Sequence, residues 1–235
     1  MKKKYLLIFV TILSLFIITG CGNKKALEFK KEYESVNGKI IRDDIKYRDL
    51  NIDKDNPYIK TTIDEIAKKI NNKETFYLYV GDSLCPWCRS GLEKMIEVAK
   101  NLGIKEIYYV DFWDDNHVEI LRDLYEVNIE NGKATFNKTQ EAKPGYNTLL
   151  EAVSSFVQDY TITKDGKEYN VGVKRVYGGD HFYFEEGVCK KYVSLRSDKL
   201  AKANDILTKE VLSDQETKFI SFFTSNNVCT GEDNC

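Results

Sequence analysis

Two cysteines two residues apart, in the tetrapeptide Cys85-Pro86-Trp87-Cys88, stand where the apolar run 76–80 gives way to a stretch with helical spacing. With Cys85 as the N-cap, Pro86 takes the first helical position, where its missing N–H costs nothing, and the amides of Trp87 and Cys88 point back at the cap. A sulfur there accepts them, and together with the positive helix end they favour thiolate over thiol, the form that attacks disulfides. Cys88, one turn on, is placed to resolve a mixed disulfide.

The competing reading of such a pair is half of a zinc site, which needs two more ligands. Cys189 stands alone, Cys229 and Cys235 are too widely spaced for a second Cys-x-x-Cys, and the histidines are His117 and His181. The sequence therefore predicts no metal and no other cofactor. The formal net charge is −2, to which Lys2, Lys3 and Lys4 contribute +3, so the chain beyond them carries −5. That balance, with only short basic pairs such as Lys68-Lys69, argues against nucleic acid as a partner.

Those three lysines precede an uncharged apolar stretch from Tyr5 to Thr19 and then Gly20-Cys21. This is the layout of a signal peptide, and its end, Ile18-Thr19-Gly20-Cys21, resembles a bacterial lipobox. The resemblance implies cleavage after Gly20, lipid on Cys21 and a place on the extracytoplasmic face of the cell membrane; several acyl chains would hold the protein there. An ordinary secreted protein with an unmodified Cys21 is the alternative. Export permits stable disulfides, and Cys229 with Cys235 could close a small C-terminal loop. Cys189 is left without a partner and reads as a buried strand residue.

Around the couple the pattern predicts a helix over 26–36 ending at Asn37-Gly38, a strand over 47–52 broken by Asp55-Asn56-Pro57, and a helix capped by Thr62 with Glu65 completing a capping box. Strand 76–80, a helix with Leu92, Met95, Ile96 and Ala99 on one face, and strand 107–110 follow. Val118, Leu121, Leu124 and Tyr125 keep helical spacing from His117 onward. A further helix is expected after Pro144-Gly145, a hairpin turning at Lys164-Asp165-Gly166, and a closing hairpin over 182–193. The last helical region, 198–223, is expected in two pieces, the second opened by a Ser213–Glu216 capping box.

Strand, helix, strand, Cys-x-x-Cys helix, strand is the order of a thioredoxin fold. The stretch 76–111, with Cys85-Pro86-Trp87-Cys88 and Ile107-Tyr108-Tyr109-Val110-Asp111, resembles the thioredoxin-like lipoproteins of Gram-positive bacteria, within the broader group that includes bacteriocin-transport accessory proteins. The resemblance implies an α/β three-layer sandwich with an N-terminal helical extension, an inserted helix-hairpin segment and a C-terminal helical extension. The corresponding division is a signal peptide over 1–20, a lipidated tether and helix over 21–45, the thioredoxin-like domain over 46–225 with its insertion at about 128–170, and a tail over 226–235.

Two departures from the family stand out. Where it carries a cis-proline beside the reactive cysteine, this chain has Tyr177-Gly178-Gly179-Asp180, with Gly179 the nearest stand-in. Where many members bury a carboxylate beneath the site, it has Tyr79, leaving Asp82 or water to handle protons; Asp82 and Arg89 read chiefly as solvated surface charges. The resemblance implies a membrane-anchored thiol-disulfide oxidoreductase acting on protein or peptide disulfides through Cys85 (nucleophile) and Cys88 (resolving), with Pro86, Trp87 and Gly179 supporting them and a membrane redox partner completing the cycle. Its competitors are a non-catalytic surface lipoprotein that holds a peptide or protein partner, and a bacteriocin-transport accessory.

Overall fold

The computed structural model describes residues 24–42, 45–114, 116 and 118–224. The segment expected as a signal peptide, together with Cys21, His117, and the tail with Cys229 and Cys235, lies outside the described residues. The described chain is α/β, a mixed five-stranded sheet with helices on both faces.

Helix α1 covers 24–34, and the short strands β1 (Ile40–Arg42) and β2 (Ile45–Lys46) pair with each other. The central sheet is built from β3 (Tyr58–Lys60), β4 (Phe76–Gly81), β5 (Ile107–Asp111), β10 (Asp180–Glu185) and β11 (Val188–Ser194), in the order β11-β10-β4-β5-β3. Strands β3, β4 and β5 run parallel, whereas β10 lies antiparallel to both β4 and β11. Strand β4 occupies the middle and is covered on both sides, which is why its sequence is almost continuously apolar instead of alternating.

Its side chains nevertheless divide by parity. Phe76, Leu78 and Val80 enter one apolar cluster, with Ile63 and Ile66 of α2 (Ile63–Asn71) and Tyr146, Leu149 and Val153 of α4 (Pro144–Val153). Tyr79 enters the other, and Tyr77 packs against it, with Phe29 of α1, Leu92 and Met95 of α3 (Pro86–Asn101), and Phe219 and Phe222 of α5 (Lys209–Thr224). Helices α2 and α4 therefore share one face of the sheet, and α1, α3 and α5 the other.

Several expectations hold. Thr62 and Glu65 form the capping box of α2, β4, α3 and β5 fall where expected, and the closing hairpin turns at Glu186 and Gly187, both with positive φ. Cys189 is a buried residue of β11, its thiol pushed up to about 12 by burial.

Others are corrected. The alternation over 47–52 is real, since Leu50 and Ile52 are buried, but the segment is not a strand. Its amides bond side chains instead: Leu50 N–H donates to Asn37 Oδ1 at 3.0 Å, Asn51 N–H to Glu93 at 2.6 Å and Ile52 N–H to Glu34 at 2.8 Å. The first sheet strand is β3, after Pro57. No helix follows Val118: residues 118–123 are irregular, and Leu124 opens β6 (Leu124–Glu130), paired with β7 (Lys133–Gln140). Glu119 accepts the amides of Leu121 and Arg122 and pairs with the Arg122 guanidinium, which fixes a turn where helical spacing alone predicted a helix.

Helix α4 was expected inside an insertion, but it packs beside α2 and covers the sheet. The hairpins on either side of it, β6–β7 and β8 (Asp159–Lys164) with β9 (Lys167–Lys174), form separate two-stranded sheets. At the C-terminal end 198–208 is non-helical, and α5 is one helix whose Val211 amide bonds Thr208 Oγ1 at 3.3 Å; Ser213 lies inside it. Among the described residues no helix is long and apolar enough to cross a membrane.

Candidate active site

Cys85 is the N-cap of α3, with extended backbone angles of φ −78° and ψ 112° and Pro86 just inside the helix. Of the two amides expected at its sulfur, that of Cys88 bonds it, with N···Sγ 3.1 Å. Cys85 is half-buried at the helix mouth, whereas Cys88 is buried, and the two thiols are unbonded. Burial first, and then the neighbouring Cys85 sulfur and Asp82, push the Cys88 thiol well above its ordinary range. The guanidinium of Arg196 lies 4.6 Å from the centre of the Trp87 ring and flanks the site.

The sequence reading of Asp82 and Arg89 as solvated charges is corrected. Asp82 follows β4, accepts the Leu84 amide at 2.8 Å and lies in the wall of the site; burial raises its pKa against that hydrogen bond. One oxygen of its carboxylate and the sulfurs of Cys85 and Cys88 all lie within 4.8 Å of one another. A carboxylate beside two sulfurs is placed to exchange a proton with either of them. Arg89 has no exposed surface. Its guanidinium donates to the carbonyls of Arg48 (2.8 Å), Tyr33 (2.8 Å) and Ser83 (3.2 Å) and to Asn37 Oδ1 (2.6 Å), tying the start of α3 to α1 and the segment before β3.

Facing the couple across a narrow gap is the turn before β10. Gly178, not Gly179, is the residue opposed to the sulfurs: a Cβ there would stand 3.1 Å from each of them. Gly179 has φ 104°, its amide bonds Val80 O at 3.0 Å, and no cis peptide occurs among the described residues. The turn is clamped by Asp180, whose carboxylate accepts the Tyr177 amide at 2.9 Å and the Tyr192 hydroxyl at 3.0 Å; burial pushes this acid up to about 7.

Behind Cys88 lies a buried polar layer that periodicity did not reveal. Tyr79 of β4 and Tyr33 of α1 bring their hydroxyls to 2.8 Å. Tyr58 bonds the ring of His181 at 2.8 Å, and burial lowers that histidine to about 3, so it is a neutral core residue. On the outer side a cavity of about 180 Å³ opens beside Asp82, walled by Glu32, Lys60, Asp111 and Asp114. Burial first, then Glu32 nearby, raises Asp111 to about 6.

The donors that could hold a metal are the same three groups, Asp82, Cys85 and Cys88; no other His, Cys, Asp or Glu among the described residues joins them. A closed structural zinc site takes four ligands, so this set falls one short. What the arrangement does offer is an accessible sulfur on a helix N-terminus, a second sulfur within reach behind it and a carboxylate beside both. No protein-family model matches the chain, and a comparison with curated proteins finds no match.

Proposed function

We propose that the protein is a thiol-disulfide oxidoreductase of thioredoxin-like fold, held on the extracytoplasmic face of the membrane by lipid on Cys21, acting on disulfides of proteins or peptides. The observation that carries this reading is the half-exposed Cys85 sulfur, capping α3 and lying within 4.8 Å of both Cys88 and Asp82. The fold part is supported by the order β11-β10-β4-β5-β3, by the pairing of α3 with α5 on one face and α2 with α4 on the other, and by the couple's position directly after the central parallel strand. The location rests on the residues that precede Cys21.

In the reducing direction the Cys85 thiolate attacks one sulfur of a client disulfide; a Cys85–client bond forms and the other client sulfur leaves as a thiolate, which takes a proton from solvent. The Cys88 thiol then loses its proton to Asp82, directly or through one water. Its sulfur attacks Cys85, the Cys85–client bond breaks, and the client departs as a second thiolate. The client disulfide has gained two electrons and the couple has become a disulfide. Reversing the same steps oxidises a dithiol client.

The test is trapping in the native host. A Cys88→Ser chain should accumulate mixed disulfides through Cys85, with the clients identified by mass spectrometry, and a Cys85→Ser chain should accumulate none. Failure to form adducts in Cys88→Ser, while its Cys85 still reacts with alkylators, would replace this reading with that of a binding module.

A further inference from the structure

We infer that Asp180 is a positioning residue for disulfide exchange: its carboxylate, bonded to the Tyr177 amide and the Tyr192 hydroxyl, holds the turn of residues 177–179 against the two sulfurs and so sets the path by which a client disulfide reaches Cys85. This deepens the oxidoreductase reading above and rests on it.

Gly178 and Gly179 are consecutive, and glycine has more backbone freedom to lose than any other residue, so this turn has little stiffness of its own. Its place is nonetheless tight, since a Cβ on Gly178 would come to 3.1 Å from each sulfur. Stiffness is supplied from outside. At the entry Val176 is held on both backbone groups: its amide donates to the Tyr146 hydroxyl of α4 at 3.1 Å, and its carbonyl accepts from the Arg122 guanidinium at 3.1 Å. At the exit the Gly179 amide donates to Val80 O and the Gly179 carbonyl accepts the Leu195 amide, both at 3.0 Å. No hydrogen bond among the described residues uses the amide or carbonyl of Gly178 itself, so its place against the sulfurs is set by the residues on either side of it.

Asp180 joins the two ends. One carboxylate oxygen accepts the Tyr177 amide at 2.9 Å, the other accepts the Tyr192 hydroxyl of β11 at 3.0 Å, and the Asp180 amide donates back to the Tyr177 carbonyl at 3.4 Å. One side chain thus closes the turn on itself and ties it to the sheet. Exchange needs the client sulfur to meet the Cys85 sulfur along the extension of the client S–S bond, so a wall at contact distance from Cys85 selects which approaches succeed. A turn freed from its clamp no longer makes that selection. The two bonds do not require a charge: an asparagine can accept the Tyr177 amide with its oxygen and donate to the Tyr192 oxygen with its amino group.

The experiment mixes the reduced full chain with a short peptide closed by one disulfide and, in parallel, follows alkylation of Cys85 by iodoacetamide. Asp180→Ala, which removes both acceptors, should slow exchange with the peptide by about tenfold to a hundredfold, the effect of a small misplacement of reacting groups. Iodoacetamide, which needs no such alignment with the turn, should alkylate Cys85 in that variant at least as fast as in the unsubstituted chain. Asp180→Asn should rescue exchange, and Tyr192→Phe, which loses one of the two bonds and keeps the ring, should slow it by a smaller factor than Asp180→Ala. Unchanged exchange in Asp180→Ala overturns the inference, as does alkylation that falls in step with exchange, or an Asp180→Asn chain as slow as Asp180→Ala. Should Asp180→Ala not fold, unchanged exchange in Tyr192→Phe overturns it. An unsubstituted chain that is alkylated at Cys85 but does not exchange with the peptide would instead sink the oxidoreductase reading, and the role of Asp180 with it.

Discussion

The backbone amide of Cys88 donates to the sulfur of Cys85 at 3.1 Å, so the helical turn that buries one thiol is capped by the other. Exposure separates the two: Cys85 is half-buried, while Cys88 and Cys189 are buried. Brief treatment of the native reduced protein with iodoacetamide should therefore label Cys85 and spare Cys88 and Cys189, and all three should be labelled in denaturant. Peptide mapping reads the result. Labelling of Cys88 ahead of Cys85 would reverse their assigned roles.

The Asp82 carboxylate lies within 4.8 Å of both sulfurs and is the base in the proposed mechanism. Asp82→Asn keeps the shape and removes the proton acceptor, so resolution of a mixed disulfide should slow by about a hundredfold, the lower end of general-base effects. Its rate should also follow hydroxide concentration more closely. Single-turnover kinetics across pH 5–9 checks this; an unaltered profile would leave proton transfer to solvent.

Gly178 faces both sulfurs so closely that a Cβ there, 3.1 Å from each, would require a neighbour to give by a few tenths of an ångström. Gly178→Val should push the turn away from the couple and reduce exchange with a peptide disulfide by roughly tenfold to a hundredfold. Overpacking there should cost about 1–3 kcal/mol of stability. Paired activity and denaturant titrations distinguish this from general unfolding.

Asp180 and His181 respond to pH with opposite sign. Burial holds the folded-state value of Asp180 at about 7, above its unfolded value, so the folded state binds the extra proton, and this stability is present at low pH and lost as pH rises towards 7. For His181 the folded value is lowered to about 3, so its contribution is present above the unfolded value and lost as pH falls towards 3. Asp180→Asn removes only the first. Relative to the unsubstituted chain, the variant should gain on the order of 2 kcal/mol between pH 4 and pH 7.5, read as the difference of unfolding free energies at the two values. A constant difference would show that Asp180 does not titrate in that range.

Arg89 satisfies three carbonyls and one side-chain oxygen with a guanidinium that has no exposed surface. Arg89→Met fills similar volume but strands those acceptors, and should cost about 3 kcal/mol or more. Chemical denaturation reads the loss. A variant as stable as the parent would show that water takes over the four bonds.

Much of this was legible in the sequence because it depends on neighbours along the chain. The capping box of α2, the Cys-Pro-Trp-Cys start of α3, the apolar runs of β4 and β5 and the Glu186-Gly187 turn are each specified within a few residues, by cap chemistry, side-chain period and tolerance of positive φ. Where the sequence misled, a local signal had more than one structural outcome. The alternation at 47–52 marked burial correctly, but a strand also needs a partner, and here Asn37, Glu34 and Glu93 took the amides. The helical spacing from Val118 gave way to a turn held by Glu119 and Arg122, then to a strand with a mate in 133–140.

The sequence by itself determined that two cysteines sit at a helix N-terminus after an apolar strand, because cap and period are properties of adjacent residues. Only the tertiary structure decided what surrounds them: the carboxylate of Asp82 beside the sulfurs, Gly178 across the gap, and the paired hydroxyls of Tyr79 and Tyr33 in the buried polar layer. These groups come from β4 and the residue after it, α1 and the turn before β10, and sheet order and helix packing bring them together. Hydrophobic patterning tells which side of an element is buried, but not which distant side chain it will meet there.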